Sequence, residues 1–302
     1  MIALDNQPFS ILEDDGFKSL MHALKPNYDM PSRRFMTYTI IDSIYEAAKK
    51  SLKETINIAK YISITTDIWS SSSDDTFISC TGHCIFDNFV QQVVVLHTRP
   101  FPKNPTGENI SKILKNMVQE YNIPNYKIHA IVHDNAANMI CGVEATGFHS
   151  LTCFLHTTQL AINECILDQR YVKDIIVNCR KVAGHFNRSP LAYTKLYEIQ
   201  KRLKRNQLKV KQDVATRWNS THIMLSRMLE IKTDIVIYCA ENSINIDITF
   251  DANQWAMMQK VVDLLHVFQI MTEKMSEQYA NSSEIIPQIK KLKLYVTNSF
   301  TK

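Results

Sequence analysis

The 302-residue sequence predicts an α/β protein: a helical segment leads, a compact strand-rich region follows, and a long all-helical region closes the chain. Three observations carry this. β-branched and aromatic runs crowd between residues 61 and 101, where period-two patterning replaces helical spacing. Apolar residues recur at three- and four-residue intervals before and after that stretch. Only 6 glycines occur in 302 residues, too few for a loop-rich all-β fold. With 45% hydrophobic residues the chain can bury a sizeable core, in one large domain or two.

The elements follow in order. "DDGFKSLMHAL" sets Phe17, Leu20, Met21 and Leu24 on one helical face behind Asp14 and Asp15 as caps. The proline-bounded "KPNYDMPSRR" then leads to a second helix, capped by Ser32 and running past Ile41, Ile44, Tyr45, Ala48 and Leu52. "YISITTDIW", "FISCTGHCIF" and "VQQVVVLHTRPF" read as three strands of an antiparallel meander. A helix with the stripe Ile110, Ile113, Leu114, Met117, Val118 and Tyr121 follows. The short apolar "KIHAIVHDN" is then a buried strand, expected to lie parallel in the same sheet after its crossover helix. "LTCFLH" reads as one more short strand. Beyond it Val172, Ile175, Ile176, Cys179, Val182, Ala183 and Phe186 form a helical stripe, Ser189-Pro190 opens the next helix, and "DANQ" at 251–254 has capping-box spacing.

Several function classes are excluded. Net charge is only +4, so a nucleic-acid partner must be argued from local clusters rather than from the whole-chain field. There is no Walker or dinucleotide fingerprint, no signal-peptide pattern, and no apolar run near the roughly 20 residues a membrane span needs. The 7 cysteines are scattered, without a Cys-x-x-Cys pair, which favours reduced thiols in cytosol or nucleus. Cys80, His83 and Cys84 fall inside a strand where alternate side chains diverge, and no finger-spaced partner pair accompanies "CFLH", so no zinc is expected in this chain.

Three places could carry chemistry. Asp67, in "SITTDIWSS", sits near the end of the first strand, and Asp134, in "HDNAANM", ends the strand that the topology places next to it. Two carboxylates there repel unless one is protonated or a hard divalent cation, Mg²⁺ or Mn²⁺, lies between them, and shared aspartates of this kind serve two-metal phosphoryl transfer. The alternative is two strand-end turn residues. Second, His156 in "CFLH", three residues after Cys153, is either a ligand or an ordinary capping or buried histidine. Third, Lys201, Arg202, Lys204, Arg205, Lys209 and Lys211 place six cations in eleven residues ahead of Arg217 and Trp218. Cations neutralise phosphates and an aromatic can stack on an unpaired base, whereas the plain alternative is a solvated helix end and a core tryptophan.

Taken in order, the blocks "PFSILEDDGFKSLMHAL", "MPSRR", "TTDIWSS", "HDNAANM", "CFLH", "DVATRWNST" with "MLSRMLE", "LLHVFQIMTEKMS" and "EIIPQIKKL" resemble the hAT superfamily of DNA transposases and its zinc-finger BED domain-containing relatives. The resemblance implies an N-terminal helical segment over 1–57, an RNase H-like core over 58–158, with an antiparallel meander plus parallel strands, and an all-α insertion over 159–302. It implies that Asp67 and Asp134 are the first two metal-binding carboxylates of an Asp-Asp-Glu triad. Cys153 and His156 would be the Cys-x-x-His motif near the scissile phosphate, and Trp218 the tryptophan that steadies a flipped base. The partner implied is DNA, the compartment the nucleus, and a homo-oligomer is compatible with it.

The resemblance also implies features this sequence does not match: a third catalytic Glu, a BED finger and a dimerisation segment. Glu164, Glu230, Glu273 and Glu277 do not occupy the third carboxylate's place in the motif order. The expectation is therefore a transposase-derived DNA-binding chain, a fragment or decayed copy whose metal site is weak and degenerate. The alternatives are a piece of an active cut-and-paste transposase and a domesticated BED-type regulator or dimerisation scaffold.

Overall fold

The computed structural model describes residues 2–101, 104–242, 250–277 and 279–300. They gather into two compact units, residues 1–133 with 137–151, and residues 134–136 with 152–302.

The first unit opens with helices α1 (Ile2–Asp5), α2 (Asp15–Leu24), α3 (Arg33–Phe35) and α4 (Ile41–Ile58). Ser32 caps α3 as its residue type predicts, its hydroxyl accepting the Phe35 N–H at 3.1 Å. Strands β1 (Tyr61–Ser70), β2 (Thr76–Ile85) and β3 (Gln91–Pro100) form the expected antiparallel meander. Helix α5 (Gly107–Glu120) leads to β4 (Ile128–His133), which lies parallel to β1. After helix α6 (Ala137–Glu144), strand β5 (Ser150–Thr152) completes a sheet of order β3-β2-β1-β4-β5.

Alternation along the strands sorts their side chains. Ile62 and Ile64 of β1 and Ile78, Cys80 and Cys84 of β2 are buried in one core with Ile110, Leu114, Met117 and Val118 of α5, and Thr66 of β1 is buried on the same face. Ser63, Thr65 and Asp67 fall on the opposite, more exposed face. A register shift between Cys80 and Thr81 buries two consecutive β3 residues, Leu96 and His97. His97 then shares a cavity of about 360 Å³ with Tyr45, Lys49, Arg99 and Tyr121. Beside it, Glu120 accepts hydrogen bonds from Lys49 and Arg99, and the Lys49 bond first, then the Arg99 bond, hold its carboxyl down to about 2. Burial pushes the His97 imidazole below its ordinary value.

Helix α6 was not expected from the sequence. It packs on α5 so closely that a Cβ at Gly142 would meet Ile110 Cγ2 at 2.6 Å, which only glycine avoids. "CFLH" also needs correction: β5 stops at Thr152, and Phe154 already begins a helix.

The second unit is helical: α7 (Phe154–Ile162), α8 (Arg170–Arg188), α9 (Pro190–Arg202), α10 (Trp218–Glu230), α11 (Lys232–Asn242), α12 (Ala252–Met275) and α13 (Ile285–Phe300). The predicted α8 stripe is buried at all seven positions from Val172 to Phe186. Ser189 caps α9 with Pro190 at its first position, and Asp251 with Gln254 forms the full capping box of α12.

Candidate functional site

Asp67 owes its exposure to the alternation of β1, which sends it to the polar face while Thr66 turns inward and donates to the Ser79 carbonyl at 2.7 Å. Its Oδ1 accepts the Ile68 N–H at 3.0 Å. On the same face Thr65 Oγ1 lies 3.1 Å from His83 Nε2, and Trp69 stacks on Phe77 with centroids 5.9 Å apart. Cys80 and Cys84 are buried on the other face, away from His83, so these three do not converge.

Asp134 directly follows β4. The β1–β4 register pairs Thr65 with Val132, and Asp67 and Asp134 each stand two residues beyond those partners. Asp134 is half-buried, and its Oδ1 accepts the Ala136 N–H at 3.1 Å, closing an Asx turn. Asn135 Nδ2 donates to Thr157 Oγ1 of α7 at 3.2 Å, tying the 134–136 turn to that helix. Cys153 is the N-cap residue of α7 and half-buried, while His156, three residues on, is exposed. Among the described residues no group of three or more His, Cys, Asp or Glu side chains is arranged to hold a metal.

The basic run divides by role. Arg205 Nη1 binds Asp234 Oδ1 at 3.1 Å, and Asp234 is only 1% exposed. The buried Gln200 donates to Asp234 Oδ2 and to the Leu208 carbonyl, both at 3.2 Å, and accepts the Leu208 N–H at 3.0 Å. Arg205 thus neutralises a buried carboxylate, and Arg202 pairs with Glu241. Lys201 and Lys204 are exposed, and neither forms an ion pair among the described residues. Sequence reading missed Gln200 and Asp234, which lie 34 residues apart and meet only in the folded unit.

Arg217 is exposed in the N-cap position of α10, but Trp218 is 3% exposed. Its ring packs near Phe268 and His222, centroids 6.4 Å away in each case, and its backbone N–H donates to Gln159 Oε1 at 3.1 Å. Stacking on a base needs an open ring face, so Trp218 would have to leave the helical core to do it.

The mixed five-stranded sheet, an antiparallel meander joined to a parallel strand, is that of an RNase H-like α/β protein. Residues 65–153 match the family model described as the ZBED1 RNase-like domain, and residues 151–264 match the ZBED1 RNase-like helical domain. The human "Zinc finger BED domain-containing protein 4" is 29% identical over 96% of this chain and 25% of its own length. The human "Zinc finger BED domain-containing protein 6" is 26% identical over 97% of this chain and 31% of its own. A Zea mays protein named "Putative AC transposase" is 23% identical over 93% of this chain and 37% of its own. The chain belongs to the transposase-derived hAT and zinc-finger BED family, and it spans about a quarter to somewhat over a third of the length of these relatives.

Proposed function

We propose that this chain is a DNA-binding part of a transposase-derived nuclear protein. In this reading Asp67 and Asp134 hold one Mg²⁺ or Mn²⁺ weakly, and the chain by itself does not cut DNA. The observation that supports the reading is the strand register: Asp67 on β1 and Asp134, the residue after β4, each follow the Thr65–Val132 pair by two positions. Two carboxylates balance the charge of one divalent ion. A second ion, as in-line phosphoryl transfer by a two-metal site requires, calls for further anionic ligands. His156, exposed on the first turn of α7, serves as a phosphate contact, with Cys153 beside it in the chain. Lys201 and Lys204 add sequence-independent phosphate attraction.

The test is fluorescence anisotropy with a labelled duplex across a salt series, run beside a nicking assay with Mg²⁺ or Mn²⁺. Binding that weakens steadily with salt, and no nicking, is expected. Absence of binding at low salt overturns the DNA reading, and nicking that disappears in Asp67→Asn overturns the inactive site.

A further inference from the structure

Helix α8 buries one face in the helical core, and its opposite face lines an open groove of about 450 Å³ that Gln212 closes on one side. Three cations stand along it: Arg180, Lys181 and Arg188. Arg180 is pinned from beneath, its Nε lying 2.9 and 3.1 Å from the two Asp213 oxygens and its Nη2 2.7 Å from Oδ2. The Asp213 side chain is 1% exposed, whereas that of Arg180 is 37% exposed, so the carboxylate is covered and the guanidinium is oriented with donors left for a ligand. Arg188 Nε donates to the Gly184 carbonyl at 3.0 Å, which fixes its guanidinium beside the groove floor. The same helix face continues to the exposed Asp174 and to Lys173, which is paired with Asp168.

Gly184 gives a second, independent indication. Glycine inside a helix costs roughly 1 kcal/mol against alanine. Nothing in the fold asks for it here, because a Cβ at Gly184 would meet only the Arg188 guanidinium, at 3.5 Å from Nη2. The missing side chain instead opens the helix backbone to whatever lies in the groove. From Arg180 to Arg188 the helix rises about 12 Å at 1.5 Å per residue. A DNA strand presents a phosphate about every 3.4 Å along its axis while winding round it, so a row of this length can face more than one phosphate.

We propose that the α8 groove is a contact surface for a nucleic-acid backbone. Arg180, Lys181 and Arg188 take the phosphates, and Gly184 lets the strand approach the helix. The proposal rests on the reading that the chain binds DNA, and adds where it does so.

The test uses the full chain and a labelled duplex over a salt series. Lys181→Ala with Arg188→Ala removes two phosphate contacts. The slope of log K against log salt is expected to fall by about 1.8, and affinity by roughly sixty-fold at 0.1 M salt, taking 1 M as the point where the effect vanishes. Gly184→Leu keeps every charge and raises helix propensity. It is expected to weaken binding while the slope holds and Tm does not fall. Binding by the wild type that both variants leave unchanged overturns the groove and spares the DNA reading. No binding by the wild type overturns both. Polyglutamate binding that is lost in the groove variants while DNA binding persists also overturns the proposal, and assigns the groove to an acidic polypeptide.

Discussion

Replacing Trp218 by alanine separates the two roles a tryptophan in this motif could have. The ring is 3% exposed in the helical core. A tryptophan of this kind removes about 200 Å² of surface from water, worth roughly 5 kcal/mol at 25 cal/mol/Å² and somewhat less against a compact unfolded chain. Measured truncations of buried aromatics cost about 3–5 kcal/mol, so about 4 kcal/mol is expected for Trp218→Ala. With a urea m-value near 2.5 kcal/mol/M, the midpoint of the helical unit should fall by about 1.6 M. Urea denaturation followed by far-ultraviolet circular dichroism reads this, with Trp218→Phe as a milder variant that keeps most of the packing. Under native conditions Trp218→Phe should bind hairpin and single-stranded DNA as the wild type does. A stability loss below about 1 kcal/mol, together with selective loss of hairpin binding, would refute the core assignment and restore the base-stacking role.

Two further perturbations have definite signs. Glu120 has its folded pKa held to about 2, against an ordinary 4.5, so its contribution is complete above pH 4.5 and disappears as pH falls from 4.5 towards 2. Glu120→Gln should cost about 2 kcal/mol at pH 7, discounted for the 41% exposure of Arg99, and the gap to wild type in a pH series of urea midpoints should narrow below pH 4.5. A gap unchanged down to pH 3 contradicts the ion-pair account. Arg205→Ala strands the buried Asp234 carboxylate and should cost about 2–3 kcal/mol, whereas Lys201→Ala with Lys204→Ala should stay within about 0.5 kcal/mol, both read from thermal unfolding. Equal costs would mean that Arg205 belongs to the solvated face.

Much of this fold was legible because burial leaves periodic traces. The α8 stripe, the three-strand meander, the parallel β4 and the Asp251 capping box were all written in residue spacing or residue type. What was missed had short or mixed signals. Helix α6 has only eight residues, too few for a clear period, and it follows a polar turn that drew attention to its chemistry. Strand β5 has three residues, so "CFLH" could not be divided between strand and helix by pattern. Trp218 belongs to the buried set Trp218, Thr221, His222, Leu225 and Met228, at helical spacing. Its Thr and His hid that stripe, and the neighbouring basic run supplied a competing reading. At the site, Asp134 was legible as a strand-end residue, whereas Asp67 lies inside β1, which runs on to Ser70. The division of the basic run was not legible, because Asp234 reaches Arg205 only through tertiary packing.

Whether Asp67 and Asp134 hold one cation, as proposed, is read by Mn²⁺ titration followed by electron paramagnetic resonance. The wild-type chain should bind one weak equivalent, and Asp67→Asn and Asp134→Asn should each abolish it while leaving Tm within a degree or two. Manganese uptake that survives either substitution unchanged would contradict a shared ion.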